Sequence, residues 1–399
     1  MATIPLGPAP AKQTAKGLVP FALGFRPFFL AAGAAALGLM IPWLLMWVGR
    51  WQPDAYYGFI GWHAHEMLFG YGLAVIAGFL LTAVRNWTGI PTPTGVPLAA
   101  LALLWLVGRM LPFGYPLVPG SVIAIMDLLF LPALLWALSV PLWKGTNRVN
   151  RLFIPLLGAM WLANLLIHAQ SLDLFAIADR GQDLMLNLIL LLVALIGGRV
   201  MPFFTEKAIP EAQPIRSKAL EYGSFGFLLL LIAVELLYPF VPLVAAAAAG
   251  VAITQALRLA GWHHKGVWRI PILWVLYTGF GWLVLGFVLK ILGLAGAFPP
   301  NLAVHALTVG AIGVLTLGMM SRVALGHSGR VLETSKSTNL AFVLLNLGAA
   351  VRVFGPLAIP GNYVGTVHMA GGLWLLAFLI FLVNYVPVLL KPRVDGRPG

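Results

Sequence analysis

Residues 62–84 read WHAHEMLFGYGLAVIAGFLLTAV, and this stretch decides the class of fold. After Glu66 it contains no charged residue before Arg85. A helix needs about 20 apolar residues to cross the hydrocarbon core of a bilayer. The stretch therefore predicts a transmembrane helix whose ionisable residues, His63, His65 and Glu66, gather at one end.

The rest of the chain has the same character. Of its 399 residues, 60% are hydrophobic and 9% are charged. Soluble domains contain about 25% charged residues, so this composition excludes a water-soluble globular protein and a disordered chain. The chain contains no cysteine, which excludes disulfides, iron–sulfur clusters and thiolate metal sites. Imidazole and carboxylate groups remain as the metal ligands that the chain offers.

Twelve apolar stretches, separated by charges, prolines or polar turns, predict an all-α integral membrane protein. We expect one polytopic membrane domain over 1–399, with short cytoplasmic tails at 1–24 and 390–399. The stretches are 27–48, 62–84, 96–112, 118–143, 151–170, 182–204, 219–238, 241–260, 270–294, 301–324, 338–357 and 362–389.

The net charge of +13 first suggests a nucleic-acid ligand, but the positions of the basic residues indicate a topology signal instead. With twelve spans, twenty of the 25 Lys and Arg residues lie on the side of the termini. Cytoplasmic loops are enriched in Lys and Arg, so both termini are predicted to be cytoplasmic. We therefore expect the basic residues to face the lipid headgroups of the bilayer, and we expect no nucleic-acid partner.

A weak internal repeat suggests three four-helix units. A histidine and two glycines recur at one constant offset between the second and tenth stretches: His65, Gly70 and Gly78, then His305, Gly310 and Gly318. The sixth stretch has Gln182 and Asn187 at the corresponding positions. Such recurrence is typical of an internally repeated fold.

Five of the eight histidines fall in the half of the membrane predicted to face outward: His63, His65, His168, His305 and His368. Ionisable groups inside a bilayer are functional candidates, and neutral imidazole ligates haem iron and copper. The sequence therefore predicts a metal or haem site formed by these five. The remaining three, His263, His264 and His327, are expected in solvated cytoplasmic loops.

These five histidines lie in four of the predicted helices, and His63 and His65 share one of them. Residues two apart point about 200° apart on a helix, so His63 and His65 serve two sites unless the helix frays. Simpler roles stay open for two of the histidines. His168 can bond a lipid headgroup, and the glycine-rich face around His368 can pack against another helix.

Other ionisable residues of the outer half have supporting roles in this interpretation. Glu66 and Asp127 are candidate proton carriers. Arg50, Arg109 and Arg352 are candidates for pairing haem propionates. No residue is assigned as catalytic.

Several segments resemble those of the NnrS family. They are GWHAHEMLFGYGLAVIAGFLLTAVRNWTG at 61–89, GGRVMPFFT at 197–205, HALTVG at 305–310 and MSRVALGHSGR at 320–330. The resemblance implies a bacterial inner-membrane protein that contains haem and copper and is linked to nitric oxide and denitrification. The motif histidines that carry over are His63, His65 and His305.

We therefore expect a haem- and copper-binding membrane protein that binds or converts nitric oxide and protects the cell against nitrosative stress. With the cofactors that the resemblance implies, the predicted ligands of haem b are His65, His305 and His368. The residues favoured for copper or a second site are His63 and His168. Conversion would make it an oxidoreductase with an electron donor that the sequence does not identify. The alternative is a non-catalytic sensor or a transporter in which haem is structural or absent.

Overall fold

The computed structural model describes residues 17–51 and 56–397. Within them it is helical without strands, and twelve helices are long and apolar enough to cross a membrane, which confirms the predicted number. We number them spans 1 to 12 in chain order: Phe25–Trp47, Phe59–Thr88, Val96–Gly114, Gly120–Lys144, Arg148–Ser171, Ala178–Ala208, Lys218–Leu237, Val241–Trp262, Pro271–Leu294, Pro300–His327, Lys336–Ala358 and Pro360–Leu390.

Spans 2, 6 and 10 form the interior of the bundle. They are the most buried spans, with 89%, 78% and 67% of their most apolar segments inside the protein. Small residues allow this close packing. A Cβ atom at Gly78 of span 2 would lie 2.9 Å from Phe29 of span 1, and one at Gly318 of span 10 would lie 2.7 Å from Val275 of span 9. Spans 2 and 10 thus each pack on the span before them through a glycine at corresponding positions.

Spans 2 and 10 also share a local irregularity. The α-helix of span 2 runs to His65 and continues as a π-helix over Glu66–Gly72. The α-helix at the start of span 10 runs to His305 and continues as a π-helix over Ala306–Gly313. Span 6 is α-helical throughout. π-helical turns are rare in proteins, and those that occur are often found at functional sites. Their position directly after His65 and His305 therefore marks these two histidines as candidate functional residues.

Alternate passage through the membrane brings the starts of even-numbered spans and the ends of odd-numbered spans to the same end of the bundle. His65 and Asp127 lie near the starts of spans 2 and 4, and Arg109 and His168 lie near the ends of spans 3 and 5. Contacts among these four residues show that they meet. The structure therefore places these four ionisable residues together at one end of the bundle.

Candidate metal and cofactor sites

The first site, which we call the histidine–carboxylate cluster, lies between spans 2, 3, 4 and 5. It consists of buried polar side chains: His65, Glu66, Arg109, Asp127, Asn164 and His168. The Nε2 atoms of His65 and His168 lie 3.2 and 3.0 Å from Oδ2 of Asp127. One ligand atom from each of these three residues falls within 4.8 Å of the others, so together they could hold a metal ion.

The other ring nitrogen of each cluster histidine has its own partner. Nδ1 of His65 lies 3.1 Å from Oε1 of Glu66, and Nδ1 of His168 lies 3.1 Å from the hydroxyl of Tyr56. Burial raises the pKa of Tyr56 above its usual range, so its hydroxyl keeps the proton that it can donate to His168. Outer partners of this kind orient metal-binding histidines, and here they leave both Nε2 atoms facing Asp127.

The cluster requires a positive charge near Asp127. Arg109 donates to Oε1 of Glu66 at 2.7 Å and also pairs with Oδ1 of Asp127. With both imidazoles neutral, the two carboxylates exceed this one guanidinium by one negative charge. His65 has carboxylate or amide oxygens near both ring nitrogens, with Oδ1 of Asn164 at 3.0 Å from Nε2. Buried charges need compensation. A proton on the imidazole of His65, or a bound metal ion, would compensate the excess negative charge and account for the oxygen atoms near its ring nitrogens.

The second site, which we call the histidine cavity, lies between spans 1, 2, 6, 10, 11 and 12. The volume of this cavity is about 340 Å³. His63 and His305 line it from spans 2 and 10, together with Arg352 from span 11 and the rings of Trp43 and Trp374. The cavity is therefore large and largely apolar, and it is supplied with two imidazoles, the cation of Arg352 and the carboxyl group of Asp183.

Several polar atoms at the histidine cavity have no hydrogen-bond partner among the described residues. The ring of His63 stacks on Trp43 with 4.0 Å between centroids, and its buried Nδ1 is unpartnered. The Nδ1 of His305 donates to the carbonyl of Asn301 at 2.6 Å, which leaves its Nε2 as an acceptor. Arg352 donates to the hydroxyl of Tyr363, but its buried Nη1 is unpartnered. These atoms fit a ligand that offers a metal to imidazole and an anion to guanidinium.

The structure groups the predicted histidines in two pairs, His65 with His168 and His63 with His305. It does not bring His65 and His305, both predicted as haem ligands, to one cavity. The helix is α-helical through Phe59–His65, so it does not fray at His63, and the two rings diverge as expected for residues two apart. The frayed helix is therefore excluded, and the two histidines enter different environments; that they serve two sites stays a prediction.

His368 lies beside the histidine cavity on span 12, where its neighbours Val367 and Gly371 line the wall. Its Nδ1 lies 2.9 Å from the carbonyl of Val364, and its Nε2 lies 3.1 Å from the carbonyl of Leu44. Both ring nitrogens thus face backbone carbonyls. Its role as a haem ligand stays a prediction.

Most of the other ionisable residues that the sequence analysis singled out also lie in the cluster or at the cavity. Glu66, Asp127 and Arg109 belong to the cluster, and Arg352 lies at the cavity, whereas Arg50 is exposed. Sequence reasoning overlooked Asn164, whose Nδ2 donates to Oδ2 of Asp127 at 2.8 Å. It precedes His168 by four residues and therefore shares its helical face, which is the signal that could have revealed it.

The fold and these two sites define a multi-pass α-helical membrane protein with a buried group that could hold a metal. The chain belongs to the NnrS family, because the family described as NnrS protein matches residues 19–393, nearly its whole length. The comparison with curated proteins finds no match. Family membership suggests a haem and copper protein of the nitric oxide response.

Proposed function

We propose that this protein binds haem b in the histidine cavity and copper at the histidine–carboxylate cluster, and that it binds nitric oxide in the bacterial inner membrane. Its cellular role in this proposal is protection against nitrosative stress during denitrification. The observation that carries the proposal is the set of unpartnered atoms at the cavity, Nδ1 of His63 and Nη1 of Arg352, beside the free Nε2 of His305.

The residues at the cavity fit haem. His63 and His305 offer imidazole nitrogens, Arg352 offers a guanidinium for a propionate, and the rings of Trp43 and Trp374 offer apolar surface to a macrocycle. When bound, the haem supplies an iron that takes a diatomic ligand. The hydrogen bond from His305 to the carbonyl of Asn301 fixes the ring and its tautomer, so that Nε2 is presented in one orientation.

The residues of the cluster fit copper or a similar cation. Two imidazoles and one carboxylate form a donor set that suits first-row transition metals. In their present arrangement Nε2 of His168 donates to Asp127, because its Nδ1 accepts from Tyr56. Metal binding displaces such a proton. Arg109 holds the other carboxylate oxygen of Asp127 and thereby fixes the direction of Oδ2.

The test compares the visible spectrum and the metal content of the purified protein, in detergent, before and after addition of nitric oxide. We expect a Soret band that shifts with nitric oxide. His63→Ala and His305→Ala should remove or shift this band and retain copper, whereas His65→Ala and His168→Ala should lose copper and retain the band. The control is His263→Ala, an exposed histidine outside both sites, which should change neither quantity.

Each outcome has a definite meaning. Absence of a Soret band from folded protein that was produced with ample haem would sink the haem assignment. A Soret band lost in His65→Ala and kept in His63→Ala would exchange the roles of the two sites. Nitric oxide that is bound but not consumed, when a reductant is present, would favour the non-catalytic sensor over an oxidoreductase.

A further inference from the structure

A second cavity lies between spans 1, 2, 6, 9 and 10. The volume of this cavity is about 90 Å³. Its wall is formed almost entirely by apolar side chains, among them Phe29, Ile76, Leu192, Ile196 and Phe280. We call it the apolar cavity, and neither proposed metal site uses it.

The apolar cavity offers no free polar group to a water molecule. Thr316 is the one residue with a polar side chain among the described residues that line it. Its hydroxyl donates to the carbonyl of Ile312 at 2.6 Å and pairs with the hydroxyl of Tyr71 at 2.5 Å. A buried water needs about 2–4 polar partners, so this cavity favours apolar occupants over water.

The apolar cavity adjoins the histidine cavity. Three residues, Gly72, Ile189 and Ile312, line both of them. The Tyr71–Thr316 pair spans the same boundary, because Tyr71 lines the histidine cavity and Thr316 lines the apolar one. Gly72 and Ile189 lie next to each other at this boundary, since a Cβ atom at Gly72 would lie 3.5 Å from Cδ1 of Ile189.

We propose that the apolar cavity binds small uncharged molecules of diatomic size and passes them to the histidine cavity. An engineered cavity of about 150 Å³ lined by Leu, Ile and Phe stays dry and binds benzene or xenon, so this smaller one suits a gas molecule. The identity of the acceptor, a haem that binds nitric oxide, rests on the proposed function. The binding of gas in the apolar cavity does not.

The first experiment uses xenon as the probe. Crystals of the full chain, pressurised with xenon, should show anomalous density between Leu192 and Phe280. Val193→Phe fills the wall of this cavity from span 6 and should abolish that density. The matched control is Val383→Phe, at a residue 67% exposed on span 12, which should retain it. If Val193→Phe fails to fold, Val200→Phe fills the same wall.

The second experiment measures the rate at which nitric oxide associates with the haem of the purified protein. Ile189→Phe narrows the shared boundary and should slow association about tenfold, which corresponds to roughly 1.4 kcal/mol on a barrier. Ile253→Phe, on the exposed face of span 8, is the control and should leave the rate unchanged.

Two results would overturn the proposal. Xenon density that is missing from the wild type, or equal in Val193→Phe and wild type, rejects the binding site. An association rate equal in Ile189→Phe and Ile253→Phe rejects the passage to the histidine cavity. A protein without haem rejects the proposed function instead, and the xenon experiment still decides whether the apolar cavity binds gas.

Discussion

His65 and His63 lie in the same turn of span 2, yet they enter two regions that differ in how closely the polar side chains pack. His65 faces a tightly packed cluster in which two carboxylates, a guanidinium, an amide and a second imidazole contact one another. His63 faces a cavity where its own Nδ1 and the Nη1 of Arg352 have no partner among the described residues.

This difference separates two uses of polar groups inside a membrane. Charged groups that contact one another hold helices together, and an excess of one negative charge, as in the cluster with both imidazoles neutral, can hold a small cation. Polar atoms beside open space lose hydrogen bonds that a ligand can restore, because an unsatisfied buried group costs about 1–3 kcal/mol. The histidine cavity is therefore the better candidate for a large cofactor, and the cluster is the better candidate for a single ion.

The largest expected effect comes from removing the arginine of the cluster. Arg109→Leu leaves Glu66 and Asp127 buried without their shared cation, and breaking a buried ion pair in this way costs about 3–5 kcal/mol. Thermal or denaturant unfolding in detergent should show this loss. In protein prepared without haem, Arg352→Leu is the matched control at the cavity. There it removes one hydrogen bond, to Tyr363, and should cost about 1 kcal/mol.

Equal losses of stability in Arg109→Leu and Arg352→Leu would contradict the distinction between the two regions. A small loss in Arg109→Leu would mean that the carboxylates of the cluster take up protons when the guanidinium is removed. Such proton uptake would make the unfolding free energy of that variant depend on pH more than that of the wild type.

The number of spans could be predicted from the sequence because it depends on length and hydropathy alone. Residues 62–84 lie within span 2 as observed, Phe59–Thr88, and the other eleven stretches have similar counterparts. Hydropathy does not specify which helices are neighbours. The central position of spans 2, 6 and 10 is seen in their burial, and the close contacts at Gly78 and Gly318 are revealed only by packing. The threefold repeat and the cytoplasmic termini stay predictions.

The candidate site could be predicted in part. The gathering of His63, His65, His168 and His305 at one end of the bundle followed from topology. Their grouping did not, because it depends on which spans are adjacent and on the direction of each side chain. Asp127 was singled out as a proton carrier, but its place between two imidazoles required span 4 to pack on span 5. Asn164 was missed for the same reason.

A smaller effect should follow from adding one methyl group behind the cluster. A Cβ atom at Gly108 would lie 2.8 Å from Oδ1 of Asp127, so Gly108→Ala must displace this carboxylate. Such overpacking costs about 1–3 kcal/mol and should also lower the copper content of the purified protein. Gly158→Ala is the control. It adds the same methyl group on span 5 where nothing lies within 4 Å, and it should change neither quantity.

Copper retained in full by Gly108→Ala would show that the position of Asp127 does not determine metal binding. That result would remove the carboxylate from the proposed ligand set and leave the two imidazoles. The histidine cavity provides an internal reference, because its Soret band should be the same in Gly108→Ala and Gly158→Ala.

The smallest expected effect concerns the hydroxyl of Tyr56, which holds Nδ1 of His168 at 3.1 Å. Removing an outer partner of a metal-binding histidine lowers metal affinity about 10–100-fold, and we expect the lower end for Tyr56→Phe because the ring contacts remain. Competition with a copper chelator measures the change. The control is Tyr115→Phe, at a ring 5.8 Å from Tyr56 and 38% exposed.

Tyr56→Phe also distinguishes the cluster from the cavity, because the two regions orient their histidines through different kinds of partner. His305 at the cavity donates to the backbone carbonyl of Asn301, a partner that no side-chain substitution removes. His168 in the cluster depends on a side chain that lies outside the spans, just before span 2. Copper affinity should therefore respond to Tyr56→Phe while the Soret band does not. If copper affinity is unchanged, Asp127 and the packing of span 5 alone orient the imidazole of His168.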